Sequence, residues 1–245
     1  MPLFSLLLIL AFPAVAEEPD WGDYAAVLAD HVRPVTRHGV RLHGVDYPAL
    51  ARDPRFRRAL VAVEGFDPAR LDGRAERLAF HINAYNLFAL RLVADHWPLA
   101  SIRDLGHWYR SVWDETAGRL GGRPVTLGHI EHQVLRPMGE PRIHLAIVCA
   151  SVSCPDLRRE PYTAARLEAQ LEDRARRFLA NPGKGLRLEG GVAHVSSIFD
   201  WFAEDFDAVG GVAAFVRRHR PGLAAVPIQA DLPYDWSVNA VEAGR

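Results

Sequence analysis

The sequence predicts an α+β fold in a single domain, with a small mixed or antiparallel sheet packed by several helices. Segments with helical spacing and segments with strand or hairpin character follow one another without the regular alternation that a doubly wound sheet requires. The chain has 245 residues, of which 49% are apolar, and this is enough to bury one substantial core. We therefore predict one globular domain over residues 17–245.

The N-terminus is typical of a secretory signal peptide over residues 1–16. An apolar run over residues 3–12 precedes an Ala-x-Ala cleavage motif that ends at Ala16, and polar residues follow from Glu17. The run is too short to span a bilayer, so we expect no stable membrane insertion after cleavage and a periplasmic or secreted location. The net charge of −1 gives no reason to expect nucleic acid as a partner.

Helices are predicted where apolar residues recur at helical spacing and where capping residues mark the ends. The first helix carries Tyr24, Val27 and Leu28 on one face, and the second begins with Asp53 as its cap and Pro54 in its first turn. The predicted helices are residues 21–33, 53–64, 74–97 (ended by Pro98), a segment starting at Thr126, 163–180, and 197–219 with a break at 210–211.

Extended segments are predicted between these helices. Residues 39–45 are a short extended piece, Gly-Gly pairs indicate hairpins at 120–125 and 186–196, and residues 226–239 end the chain in extended form. The continuous apolar run over residues 143–149 is predicted as a buried strand. Strand alternation would then place its histidine and its cysteine on opposite faces.

Groups suited to nucleophilic chemistry are concentrated between Glu131 and Cys154. The chain has only two cysteines, Cys149 and Cys154, and we predict Cys149 as a nucleophile because a thiol beside an imidazole ionises readily. Either His144 or His132 would accept its proton, and Glu131 would orient the imidazole. Backbone N–H groups of residues 150–153 are predicted to stabilise an oxyanion.

Two other interpretations of the same residues stay open. In an oxidising compartment Cys149 and Cys154 would form a disulfide, and the protein would be a non-catalytic binding or accessory module. A weaker alternative is a metal site that combines His129 and His132 with His144 and a thiolate, although this spacing is not that of the metalloprotease helix.

The remaining predicted roles concern binding. Asn83 interrupts an apolar helix, where a buried amide orients a neighbouring group or lines a pocket, and Ser151 and Cys154 lie in the loop after the proposed nucleophile. We predict no cofactor and no bound metal. The identity of the small-molecule or peptide substrate and the oligomeric state stay open.

Several stretches resemble one family, the domain of unknown function numbered 547. The matching stretches are AFHINAYN (79–86), IEHQVLR (130–136), PRIHLAIVCASVSCP (141–155), YTA (162–164), IFDWFAEDF (198–206) and LPYDWSVN (232–239). The residues that fit the family pattern are Glu131, His132, His144, Cys149 and Cys154. His81 and His129 depart from it, because family members usually carry Trp and an acidic residue there.

The resemblance also carries an expectation about fold and chemistry. The family is distantly similar to papain- or transglutaminase-like thiol enzymes. This implies a fold of that kind and supports a thiol-dependent hydrolase or acyl transferase that acts on an amide bond. No substrate class follows from the resemblance.

Overall fold

Residues 18–241, described by a computed structural model, form an α+β fold in which helices pack around three small sheets. The fold class predicted from the sequence is confirmed. The signal peptide predicted over residues 1–16 lies outside the described residues. The helices are α1 (Gly22–His31), α2 (Tyr47–Arg52), α3 (Pro54–Gly65), α4 (Arg74–Asp95), α5 (Leu167–Leu179), α6 (Ile198–Trp201) and α7 (Gly211–His219), with a π-helix over His129–Leu135.

The strands pair locally. They are β1 (Val32–Arg37), β2 (Val40–Val45), β3 (Thr116–Leu120), β4 (Arg123–Thr126), β5 (Leu186–Glu189), β6 (Val192–Ser196) and β7 (Ile228–Leu232). Strands β1 and β2, β3 and β4, and β5 and β6 form antiparallel hairpins, while β7 adds in parallel to β6. The Gly-Gly pairs at 121–122 and 190–191 both have positive φ, which the favoured two-residue hairpin turn requires. The predicted hairpins are therefore confirmed.

Helix α4 lies at the centre of the larger of two apolar clusters. Sixteen of its 22 residues are buried, and a helix that is buried on nearly every side belongs to the core. The second cluster lies between α5, α7 and the sheet β5–β6–β7. Among residues 18–241 no helix is long and apolar enough to cross a membrane.

The apolar run over residues 143–149 is not the buried strand that its sequence predicts. A 3₁₀ turn over Pro141–Leu145 is followed by an irregular segment. Asn86 replaces a strand partner, because its amide donates to the Ala146 carbonyl at 3.0 Å and accepts the Val148 N–H at 2.8 Å. The backbone is thus satisfied without a ladder, and a continuous apolar run indicates burial but not the type of element.

Gly185, which follows α5, allows a stability prediction. A Cβ atom at this position would lie 1.6 Å from the carbonyl oxygen of Phe178, so Gly185→Ala forces the backbone to move. We expect the free energy of unfolding to fall by about 3 kcal/mol or more, measured by urea denaturation. Gly222→Ala is the matched control, because a Cβ there meets nothing within 4 Å. Equal midpoints for the two variants would contradict the packing described for Gly185.

Candidate functional site

A cavity of about 350 Å³ opens between the two apolar clusters. Aromatic and aliphatic side chains form most of its wall, and a few polar groups converge on it. The lining residues are Tyr85, Trp113, Glu131, His132, His144, Ile147, Cys149, Cys154, Pro155, Ile198, Trp201, Phe202 and Trp236. A largely apolar cavity with a few convergent polar groups is the usual form of a small-molecule site.

The structure brings five of the predicted site residues to this cavity. They are Glu131, His132, His144, Cys149 and Cys154. The expectation that His144 and Cys149 lie on opposite faces is wrong, because the segment that carries them is not a strand. Both side chains reach the same cavity through the 3₁₀ turn and the irregular residues that follow it.

The backbone turns sharply immediately after Cys149. Ala150 has a φ of 59°, a left-handed conformation that costs a non-glycine residue about 1–2 kcal/mol. Its carbonyl accepts the N–H of Asn239 at 2.9 Å, so the C-terminal segment holds the turn in place. Strain of this kind is found most often at functional sites.

The same C-terminal segment uses two of the N–H groups predicted to stabilise an oxyanion. Val152 donates to the carbonyl of Ser237 at 2.8 Å, and Ser153 donates to that of Asp235 at 3.2 Å. The prediction is therefore wrong for these two donors, which serve to anchor the loop. The hydroxyl groups of Ser151 and Tyr234, each 3.2 Å from the Cys149 sulfur, offer another source of hydrogen bonds.

Three side-chain groups surround the Cys149 sulfur. Ser151 Oγ and Tyr234 Oη each lie 3.2 Å from Sγ, and the Cys154 sulfur lies at 2.8 Å. Both cysteines are free thiols. Burial opposes ionisation of Cys149, but hydrogen bonds from Cys154, Ser151 and Tyr234 outweigh it and lower the pKa of Cys149 to about 7. Burial and the neighbouring Cys149 raise the pKa of Cys154 well above its ordinary value.

Glu131 is a buried carboxyl group at the inner wall of the cavity. Only 6% of the residue is exposed, and Tyr85 Oη donates to Oε2 at 3.3 Å while Trp113 Nε1 donates to Tyr85 Oη at 3.1 Å. Burial, followed by the charge of Cys149, raises the pKa of Glu131 to about 7. The thiol and the carboxyl group therefore ionise in the same pH range, and each disfavours the charge of the other.

Glu131 and His132 both reach the cavity from the π-helix His129–Leu135. Helices of this type are rare and are frequently found at functional sites. Glu131 is buried, whereas His132 is exposed at the rim, where Arg136 Nη1 donates to its Nδ1 at 3.3 Å. Burial and the charge of Arg136 lower the pKa of His132.

His144 is held in one orientation from two sides. Its Nε2 lies 2.6 Å from Asp205 Oδ2, and its ring stacks on Phe202 with centroids 3.9 Å apart. Burial lowers the pKa of His144 to about 4, although Asp205 opposes this shift. The neutral ring therefore donates from Nε2 to Asp205. Its Nδ1 is buried without a hydrogen-bond partner among the described residues and lies 3.9 Å from Glu131 Oε1.

Asp205 and Tyr234 are candidate site residues that the sequence prediction missed, because they contact His144 and the Cys149 sulfur. Asp205 accepts hydrogen bonds from both His144 and Arg136. Burial raises the pKa of Asp205, but these hydrogen bonds outweigh it and lower the pKa. The only signal in the sequence was that both residues lie in stretches 198–206 and 232–239 that resemble the family.

Asn83 and Ser151 have different surroundings. The Asn83 amide donates to the carbonyl of Tyr162 at 2.8 Å and accepts its N–H at 2.9 Å, so it braces a loop and does not line the cavity. Ser151 contacts the Cys149 sulfur directly.

Among residues 18–241, no group of three or more His, Cys, Asp or Glu side chains is arranged to hold a metal ion.

Residues 68–179 match the family model described as "Protein of unknown function, DUF547". The resemblance predicted from the sequence is confirmed over this span, which carries Glu131, His132, His144 and both cysteines. Asp205 and Tyr234 lie beyond it. No curated protein and no solved structure matches this chain.

The burial of Glu131 predicts a pH-dependent stability. Its folded-state pKa of about 7 lies above the ordinary value of 4.5, so its protonated form stabilises the fold below pH 4.5, and this contribution is lost as the pH rises towards 7. We expect Glu131→Gln to unfold like the wild type at low pH and to exceed its stability by about 1–3 kcal/mol above neutrality. Urea denaturation at both pH values measures this. A variant that is less stable than the wild type above neutrality would contradict it, and Glu204→Gln, at an exposed carboxyl group, is the control.

Proposed function

We propose that the protein is a thiol-dependent hydrolase or acyl transferase in which Cys149 attacks the carbonyl carbon of an amide. The observation that carries the proposal is the Cys149 sulfur at the cavity wall, with a pKa lowered to about 7 by its hydrogen bonds. A thiolate available near neutrality is a strong nucleophile. The leader predicted over residues 1–16 supports export, so we propose a periplasmic or secreted site of action.

Cys149 and Glu131 support a two-step reaction. The thiolate forms a bond to the carbonyl carbon, the carbon–nitrogen bond breaks, and the protonated Glu131 supplies the proton that the leaving nitrogen needs. Water or another acceptor then attacks the thioester, Glu131 takes up its proton, and the thiolate is released. A carboxyl group with a pKa raised to about 7 can perform both proton transfers near neutrality.

His144 is placed to extend the path by which Glu131 donates and accepts protons. Its neutral ring presents Nδ1 at 3.9 Å from Glu131 Oε1, so it can exchange a proton with the carboxyl group after a small side-chain adjustment. Asp205 holds the opposite nitrogen, which selects the tautomer that leaves Nδ1 as a base. This arrangement favours His144 over the exposed His132 as the imidazole of the site.

The hydroxyl groups of Ser151 and Tyr234 replace the backbone donors that the loop uses elsewhere. Both lie 3.2 Å from the Cys149 sulfur, so they are placed beside the oxygen of a carbonyl attacked by that sulfur. Hydrogen bonds to such an oxygen stabilise the transition state. The aromatic walls, with Trp113, Trp201 and Trp236, favour a substrate with an apolar or aromatic acyl portion.

Alkylation of the native protein tests the nucleophile. The rate of reaction with iodoacetamide is measured from pH about 5 to about 9, and we expect its midpoint near the pKa of about 7, below the ordinary thiol value of about 8.5. Peptide mapping is expected to place the label on Cys149 and not on the buried Cys154. A midpoint at the ordinary value, or no label on the native protein, would refute the proposal.

An aromatic activated ester then tests the acyl step. Intact-mass measurement is expected to show one acyl group on the wild type and none on Cys149→Ser. Acylation without turnover by water or an added amine would retain the nucleophile but reject the hydrolase and transferase function.

A further inference from the structure

We propose that the two cysteines also reduce organic hydroperoxides, with Cys149 as the sulfur that attacks the peroxide and Cys154 as the sulfur that resolves the product into a disulfide. This activity goes beyond the proposed acyl chemistry. It requires the thiolate and its neighbour but neither Glu131 nor His144.

The contact between the two sulfur atoms supports the pairing. They lie 2.8 Å apart, and the Cys149 N–H also donates to Cys154 Sγ at 2.8 Å. The two side chains therefore point at each other while both remain thiols. Bond formation requires only a short approach along the line that already joins them.

The surrounding backbone holds the pair in place. The Cys154 N–H donates to the carbonyl of Ser151 at 3.2 Å, and Val152 is anchored to Ser237. Lys184 is buried, and its Nζ donates to the Cys154 carbonyl at 2.7 Å. The loop is thus fixed with the sulfurs adjacent, and such proximity favours an intramolecular reaction over attack by a second oxidant molecule.

The unequal exposure of the two thiols assigns their roles. Cys149 is partly exposed and lines the cavity, whereas Cys154 is 3% exposed. A peroxide that enters the cavity therefore meets Cys149 first. The lowered pKa of Cys149 agrees with this order, because the first oxidation step requires the thiolate.

The reaction balances in two steps. The Cys149 thiolate attacks the terminal peroxide oxygen, the O–O bond breaks, and the alkoxide takes a proton, which gives an alcohol and the sulfenic acid of Cys149. The Cys154 sulfur then attacks the Cys149 sulfur, and the hydroxyl group leaves as water with the Cys154 proton. Sulfur loses the two electrons that the peroxide gains.

The cavity wall indicates the class of peroxide. Trp113, Trp201 and Phe202 line it along with other apolar side chains, so an organic hydroperoxide with an aromatic or aliphatic substituent is retained better than hydrogen peroxide. Cumene hydroperoxide is a suitable probe. We expect it to oxidise the protein about tenfold faster than hydrogen peroxide at equal concentration.

A single-turnover experiment tests the proposal. Reduced full-length protein is treated with one equivalent of cumene hydroperoxide and is then denatured and alkylated. Its intact mass is measured by mass spectrometry. We expect the loss of two hydrogen atoms, no alkyl label, and full recovery of two labelled thiols after treatment with dithiothreitol. A protein that keeps both thiols, or that gains oxygen atoms without forming the bridge, would overturn the inference. Equal rates with hydrogen peroxide would overturn the assigned substrate class.

Two variants separate the roles and isolate this inference from the acyl chemistry. Cys154→Ser is expected to stop at the sulfenic acid, which dimedone traps, and Cys149→Ser is expected to leave Cys154 unoxidised. If the bridge forms but no acyl group is transferred from the activated ester, only the proposed function fails. If the ester acylates Cys149 but the peroxide gives no bridge, only the present inference fails.

Discussion

Cys149→Ser is expected to abolish acyl transfer, with the turnover number falling by at least about a thousandfold. Hydrogen bonds from Cys154, Ser151 and Tyr234 bring the thiol to a pKa of about 7, but the same contacts cannot ionise an aliphatic hydroxyl group at neutral pH. Serine fits the space of the thiol, so the effect reports on chemistry and not on packing. Steady-state hydrolysis of the aromatic activated ester measures the loss.

Cys154→Ser and Cys154→Ala are the controls for this result. Serine retains a donor towards Cys149, so we expect activity within about tenfold of the wild type. Alanine removes the largest of the hydrogen bonds that lower the pKa of Cys149, so the alkylation midpoint should move to higher pH. Retention of activity by Cys149→Ser would refute the nucleophile, and a large loss in Cys154→Ser alone would transfer that role to Cys154.

The parts of the fold that could be predicted are those governed by local chemistry. Helix α4 follows from its apolar periodicity and from Pro98, and the hairpins at 121–122 and 190–191 follow from Gly-Gly pairs with positive φ. The run over residues 143–149 was mispredicted because the amide of Asn86, about sixty residues away along the chain, satisfies its backbone. No local pattern contains that contact.

The candidate site also contains residues that could be predicted from the sequence and residues that could not. That Cys149, His144 and Glu131 lie at one cavity could be predicted because they are close together in the chain and Cys149 is one of only two cysteines. Asp205 and Tyr234 reach the site from 61 and 85 residues away. Their roles therefore depend on how the 3₁₀ helix Ala203–Val209, which follows α6, and the C-terminal segment pack. The shifts in pKa depend on burial, and burial is a property of the assembled fold.

Asp205→Asn is the second variant with a large expected effect. The carboxylate accepts the His144 Nε2–H at 2.6 Å, which fixes the tautomer with Nδ1 free on the side of Glu131. An asparagine can present its NH₂ group to that nitrogen and favour the opposite tautomer, with the proton on Nδ1. It also removes the charge that keeps the pKa of His144 from falling further. His144 then no longer offers an unprotonated Nδ1 to exchange a proton with Glu131, although its ring remains.

We expect Asp205→Asn to lower kcat by about a hundredfold to a thousandfold and to leave KM nearly unchanged, because Asp205 does not line the cavity. Glu204→Gln is the matched control. Glu204 pairs with the same Arg136 at 2.5 Å, but its side chain is 77% exposed and does not contact His144. Steady-state kinetics of both variants shows whether Asp205 acts by positioning His144. If the two variants lose activity equally, Asp205 acts through Arg136 and not by positioning His144, and a wild-type kcat in Asp205→Asn would remove His144 from the proton path.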